Sequence, residues 1–175
     1  MGINVEADRI FCNDQITYLI GMFGLFRETE TEVLLTRIRG LIAAYQLTQQ
    51  NKEGYLELRR HYNESKDLTE LFVLTCYAFN HQIRFNNSHE FNSPFGTNRS
   101  SFNGNIEKNL TAFCRALKEK DIVFSTTGFP GDGFGIPGRK RPVFTVIRRI
   151  SYPLAPITMG TADSGTGTRR RRRRS

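Results

Sequence analysis

A chain of 175 residues is long enough to bury a core that folds without staples, and its three cysteines, Cys12, Cys76 and Cys114, are odd in number and far apart. That pattern excludes a disulfide scaffold and fits a reducing compartment. The formal charge of +8 belongs to the tail: residues 1–125 carry a net −1 and residues 126–175 a net +9, so nucleic-acid binding by the body must rest on local placement of Arg84, Arg99, Lys108 and Arg115, not on bulk charge.

No Cys/His pair has metal-ligand spacing, and His61, His81 and His89 lie on polar segments. The start is acidic and apolar runs such as residues 71–74 are far too short for a membrane span. A cytoplasmic, monomeric protein without metal or membrane attachment is expected, and the sequons at Asn63, Asn86, Asn98 and Asn109 are then chance matches.

In chain order, residues 9–12 read as a strand ending at Asn13-Asp14. A carboxylate at a strand's end in an α/β fold can take the ribose hydroxyls of a nucleotide-like cofactor, or it can cap the helix expected over 15–26, whose face is Ile16, Leu19, Ile20 and Phe23. Position alone favours the cap. Residues 29–47 form an amphipathic helix through Leu34, Ile38, Leu41 and Tyr45, and 52–62 another through Tyr55, Leu58 and Tyr62. Residues 68–79 are apolar nearly all round, which predicts a short helix buried among neighbours.

That helix delivers the chain into residues 79–96, FNHQIRFNNSHEFNSPFG. Asn at 80, 86, 87 and 92, aromatics at 79, 85, 91 and 95, and Arg84 are the groups that hydrogen-bond planar base edges or stack on them. The same stretch reads as an ordinary β-hairpin, with Ile83-Arg84-Phe85 and Glu90-Phe91-Asn92 alternating around a turn at 86–89. The two readings are compatible, because a two-stranded ribbon fits the major groove. Beyond a loop, Ile106, Leu110, Phe113 and Leu117 mark a further helix, and 121–125 a buried strand. A helical cluster with a hairpin thus lies between two strands of an α/β sheet, as an inserted recognition domain on a nucleotide-type fold would. From Thr126 onwards the chain holds five of the six prolines and eight of the fifteen glycines, and 130–175 is expected to be a disordered basic tail whose Arg169 to Arg174 run binds anions electrostatically.

The segments NDQITYLIGMF, YLELRRHYN, LFVLTCYAFNHQIRFNNSHEFNSPFG and IVFST, in this order and spacing, resemble Dam-type adenine-specific DNA methyltransferases, especially phage and bacterial enzymes directed at GATC. The resemblance covers about residues 2–129. It implies an incomplete α/β Rossmann-like sheet, divided between 1–27 and a return strand in 119–129, with a mainly α target-recognition domain over 28–118 that carries the hairpin. The implied cofactor is S-adenosylmethionine and the implied partner double-stranded DNA, whose adenine is flipped out and methylated on its exocyclic amine. By the family's motif, Asp14 would contact the adenosyl part of the cofactor, against the position-only preference. Arg84 would read a guanine, and Phe79 and Asn80 would wedge into or hold the opened duplex. Gln82 and Pro94 would contact adjacent bases, with Asn92, Asn98 and Arg99 completing the DNA-facing set. Relatives often carry an apolar residue at the position of Gln82 and basic ones at Thr97-Asn98, departures that bear on the recognition sequence.

Two family elements are missing from the 175 residues, the glycine-rich cofactor loop and a catalytic Asp-Pro-Pro-Tyr. Residues 144–150 can be encoded so that a shifted frame reads Tyr-Cys-Asp-Pro-Pro-Tyr, which implies a frame slip between Thr127 and Val143 and a tail without evolved function. The resulting expectation is a methyltransferase fragment that is not competent alone. The alternative is a non-catalytic nucleic-acid-binding module that uses the hairpin and the Arg-rich tail.

Overall fold

The computed structural model describes residues 9–14, 16–126 and 143–146. Strand β1, Ile10–Asn13, pairs in parallel with β2, Ile122–Ser125, with Ile10 opposite Ile122 and Asn13 opposite Ser125. More than a hundred residues separate these neighbours, and all the helices among the described residues lie in that crossover. A third strand, β3 at Val143–Val146, pairs in parallel with the other edge of β1, giving the order β2-β1-β3. The parallel pairing is consistent with part of a Rossmann-like sheet. These four residues fall within the stretch that composition assigns to a disordered tail; the Arg169 to Arg174 run, the shifted-frame segment beyond Val146 and Gln15 lie outside the described residues.

Helix α1, Thr17–Glu28, begins later than periodicity alone suggests, because Asp14 Oδ1 accepts the Ile16 N–H at 2.8 Å and holds the chain in a turn for two more residues. Ile16 occupies the N-cap position, so Asp14 is a turn-former and not the side-chain cap. On the sheet side, Phe23 packs against Phe124 and Phe113, and Arg27 donates to the Ile122 carbonyl at 2.6 Å. Helices α2, Thr31–Ala44, and α3, Lys52–Ser65, bury the stripes their spacing requires: Leu34, Leu35 and Ile38 in one, Tyr55, Leu58 and Tyr62 in the other. Helix α3 is capped by Asn51, which accepts from the Gly54 N–H, and it stops at Lys66 in the left-handed region (φ 57°).

Helix α4, Leu68–Tyr77, is buried at nine of its ten positions, as its apolar circumference requires, and packs against α1, α2 and α3. Helix α5, Gly104–Glu119, starts on an Asn103 cap and buries Leu110, Cys114 and Leu117. The buried side chains of β1, β2 and all five helices form one continuous core. Cys12, Cys76 and Cys114 are buried and unpaired, and burial pushes all three thiols up from their ordinary range, so they pack as small apolar groups.

Candidate nucleic-acid interface

The stretch after α4 forms a hairpin, but a minimal one. Only two isolated antiparallel bridges close it, Ala78 with Phe95 and Phe85 with Phe91. Asn86 builds the turn: its Oδ1 accepts from the Ser88 and Glu90 N–H groups, its amide donates to Glu90 Oε2, and His89 takes the left-handed conformation that follows (φ 57°). Gly96 closes the base. A Cβ there would stand 2.4 Å from Ser100 Oγ and 2.9 Å from the Ala78 carbonyl, so no other residue fits.

Bonds that a longer ladder would provide come instead from side chains of α3. The Asn63 amide pairs with both backbone groups of Phe91, accepting its N–H at 2.8 Å and donating to its carbonyl at 3.3 Å. Tyr55 OH donates to the Ser93 carbonyl at 2.9 Å, and burial pushes this phenol up, so it remains a donor at neutral pH. Lys66 Nζ donates to the His89 carbonyl and lies over the rings of Tyr62 and Tyr18. Tyr18, from the first turn of α1, stacks on Phe85 at 5.1 Å and lies 6.4 Å from the His89 ring.

On this base the groups singled out in the sequence divide. Phe91 is buried against Tyr62 and Phe85, while Phe85 and Phe95 are half-buried, so three of the four aromatics are anchors and not stacking surfaces. Phe79 alone is presented, at 39 % exposure. It opens a single 3₁₀ turn, Phe79–His81, in which Asn80 and His81 both have left-handed backbones (φ 52° and 53°). Two such residues in succession hold the aromatic outward at a cost in backbone strain.

Arg84 is exposed and anchored by its neighbours: Nε donates to Asn92 Oδ1 at 3.0 Å and Nη2 to the Asn92 carbonyl at 3.4 Å. Asn92 is thus engaged with Arg84. Half-buried Gln82 and exposed Pro94 lie on the same hairpin, and the Pro94 carbonyl accepts the Phe79 N–H. Asn98 and Arg99 are exposed in the turn after Gly96, where the Asn98 N–H donates to the Gln49 carbonyl, away from the bridged arms.

Asp14 lies at the other end of the candidate site, 6 % exposed at the end of β1. One carboxylate oxygen serves Ile16; Oδ2 is buried without a hydrogen-bond partner among the described residues, as is Asn13 Oδ1. Buried acceptors left unpaired are costly, and two together at a strand's C-terminal end suit a ligand that brings hydroxyl or amine donors. The adenosyl part of S-adenosylmethionine carries such donors, so the residues present fit it. The Asp14 turn meets the hairpin through Tyr18, four residues on.

Sequence reasoning missed Ser93, Asn63 and Tyr18. Their partners lie 9 to 67 positions away, and nothing local marks them. Among the described residues no group of three or more His, Cys, Asp or Glu could hold a metal ion, and no helix is long and apolar enough to cross a membrane.

A family model described as D12 class N6 adenine-specific DNA methyltransferase matches residues 1–128. The chain is similar to the type II methyltransferase M.FokI of Planomicrobium okeanokoites, 39 % identical over 129 residues, and to the modification methylase StsI of Streptococcus sanguinis, 38 % identical over 129 residues; each match takes in 74 % of this chain and 20 % of the relative. The modification methylase LlaI of Lactococcus lactis subsp. lactis is 27 % identical over 124 residues, 70 % of this chain and 20 % of the relative. The chain therefore spans about a fifth of the length of the curated relatives it matches. With the match extending over β1, the five helices, the hairpin and β2, this chain belongs to the D12 class of N6 adenine-specific DNA methyltransferases.

Proposed function

We propose that this chain supplies the duplex-reading surface and the adenosyl contact of a DNA adenine methyltransferase, which moves a methyl group from S-adenosylmethionine to the exocyclic amine of an adenine flipped out of double-stranded DNA, in a GATC context. Residues 28–118 act as the target-recognition domain and 1–27 with 119–129 as part of the cofactor-binding sheet. The observation that carries the reading is the division of the hairpin: Phe79 and Arg84 stand exposed on a base whose buried residues, Phe91 and Ser93, are tied by their backbone groups to Asn63 and Tyr55 of α3.

Arg84 offers its guanidinium to guanine O6 and N7, a contact that discriminates by ~1–3 kcal/mol. Phe79, held out by its left-handed neighbours, fills the gap left by the flipped base, with Asn80 beside it. Gln82 and Pro94 flank these at base level, Pro94 against a thymine methyl, and Asn98 and Arg99 reach the backbone. When bound, S-adenosylmethionine supplies an electrophilic methyl on a sulfonium. Asp14 Oδ2 accepts a ribose hydroxyl and fixes the adenosyl end, with Asn13 beside it.

The test is duplex binding by wild type and Arg84→Ala, first with a GATC duplex and then with a randomised-site library. Loss of sequence preference with affinity retained supports base reading. A uniform loss with a smaller salt slope would reduce Arg84 to a phosphate contact. Methyl transfer by the chain alone would show that transfer needs no Asp-Pro-Pro-Tyr, and would overturn the division of labour proposed.

A further inference from the structure

The reading residue of the hairpin is held by groups that do not themselves read. Ser93 is fully buried. Its Oγ accepts the Arg84 N–H at 3.1 Å and donates to the Gln82 carbonyl at 2.7 Å, so one hydroxyl ties both backbones of the outgoing arm. The Ser93 carbonyl accepts from Tyr55 OH and from Arg59 at 3.4 Å, which fastens that hydroxyl's own backbone to α3. Next to it, the Asn92 N–H donates to the Arg84 carbonyl at 2.9 Å. Asn92 also occupies the Nε and Nη2 edge of the guanidinium through its two oxygens. Arg84 is therefore fixed at its N–H, at its carbonyl and along one edge of its head group. What remains open is the end of the fork, Nη1 and the outer hydrogen of Nη2.

Resting on the reading proposed above, we infer that Ser93 and Asn92 are positioning residues that set base discrimination, by presenting Arg84 end-on so that Nη1 and Nη2 together meet guanine O6 and N7. An arginine free to rotate can satisfy itself on phosphate or on any acceptor in the groove. One whose side edge is occupied has a single planar face left, and only a pair of acceptors side by side in its plane answers it. The ordering entropy is met within the protein before the duplex arrives. Ser93 extends the same control to Gln82, whose carbonyl shares the hydroxyl, so the two neighbouring residues of the outgoing arm move together.

The experiment uses the full chain. Selection from a randomised duplex library gives a preferred duplex, and the quantity read is the affinity ratio between it and the same duplex with its guanine replaced by adenine. Arg84→Ala abolishes the ratio. Ser93→Ala lowers it about tenfold, the order of one bidentate base contact, while affinity for the replaced duplex and its salt slope stay as in wild type. Ser93→Thr, which keeps the hydroxyl, retains the ratio. Asn92→Ala, at a half-buried position on the hairpin's open side, lowers it as Ser93→Ala does, and decides alone should Ser93→Ala fail to fold. A ratio unchanged in Asn92→Ala and in folded Ser93→Ala overturns the inference, and so does an equal loss toward both duplexes. A wild type without a preferred duplex, or an Arg84→Ala that keeps the preference, defeats the reading of Arg84 itself and removes the inference with it.

Discussion

The Asp14 turn and the 79–96 hairpin put polar groups to opposite use. At Asp14 a carboxylate is almost buried, yet one oxygen has no partner among the described residues. In the hairpin the proposed contact groups Phe79 and Arg84 are exposed, while Ser93 and Phe91 are buried with backbone groups paired to α3. A corner that waits for a small ligand is a closed site with an acceptor left over, because the ligand brings the donor. A surface that meets a polymer needs the reverse: a finished base from which a few side chains project in fixed directions. Burial by itself therefore does not separate the two kinds of site; nor does an unpaired polar atom alone, since Tyr62 OH and Thr69 Oγ1 in the core are also buried without a hydrogen-bond partner among the described residues.

The hardest way to strike at this comparison is through two phenylalanines of the same stretch. Phe91→Ala removes a ring buried between Tyr62 and Phe85, and should cost ~3–5 kcal/mol of stability, as large-to-small changes of buried aromatics do. Phe79→Ala removes a ring exposed at 39 % and should leave stability within ~0.5 kcal/mol while weakening binding to a duplex with a flipped adenine or an abasic site in its place. Urea midpoints and duplex affinities for the two variants check both halves. Equal destabilisation would erase the division between base and projecting groups.

The Asp14 side is sharpened by two substitutions that separate its oxygens. Asp14→Asn keeps an oxygen for the Ile16 N–H and replaces the unpartnered acceptor with a donor; Asp14→Ala removes both. If the orphan oxygen takes a ribose hydroxyl, Asp14→Asn should leave stability near wild type, since the bond to the Ile16 N–H is kept, and should weaken adenosine or S-adenosylmethionine binding about 10- to 100-fold, the ~1.5–3 kcal/mol of a hydrogen bond to a charged group. Asp14→Ala should also destabilise. Titration calorimetry with melting curves reads both effects, and an Asp14→Asn that destabilises without touching ligand binding returns Asp14 to a purely structural turn.

A smaller effect tests whether the two regions communicate. Tyr18→Ala removes the ring that stacks on Phe85 and underlies Lys66, worth ~0.5–1.5 kcal/mol beyond area burial for the aromatic pair, whereas Tyr18→Phe keeps the stack. Amide exchange should quicken across residues 83–92 in the alanine variant and stay near wild type in the phenylalanine one. Protection unchanged in Tyr18→Ala would mean that the hairpin is held by α3 alone.

Much of this was legible from the chain because periodic burial is a local property. The stripes of Leu34 and Ile38, of Tyr55, Leu58 and Tyr62, and the apolar circumference of α4 all bury as their spacing demands. Ends were less legible, since they depend on single residues: Asp14 delays α1 to Thr17, and α3 runs on to Ser65 until the left-handed Lys66 ends it. In the hairpin, alternation located the arms but could not tell Phe91 from Phe79, because depth is decided by where α3 lies. Asn92 and Asn86 looked like base readers by composition; the structure commits one to Arg84 and the other to the turn. The assignment of Asp14 to a cofactor rests on resemblance, and its unpaired oxygen is an acceptor that the proposed ligand can use.

The smallest effect concerns the platform under the hairpin. His61 on α3 has Nδ1 2.8 Å from Oε1 of Glu70, a buried carboxylate on α4 that also accepts from Ser65 Oγ at 2.9 Å. The hydrogen bond to Glu70, then its charge, push His61 up from its ordinary value; partial desolvation of the ring opposes this, and Glu64 and Asp67 add smaller upward contributions. Tyr45 lies beside the ring at 6.3 Å, and Arg37 of α2 turns toward Asp67 instead. A group with a folded pKa above its unfolded one binds its proton more tightly when folded. Its stabilisation is complete below the unfolded value of about 6.5 and is lost as pH rises through the raised folded value. The urea midpoint should therefore be higher at about pH 6 than at about pH 8, and His61→Gln should flatten that difference. With the His61 side chain 54 % exposed, solvent screens the pair and the step stays small. An undiminished step in His61→Gln would move it to another group. Because Tyr62 and Asn63 follow His61 directly and hold Phe91, the step should appear in hairpin exchange rates as well as in global stability, whereas the Asp14 corner should not feel it.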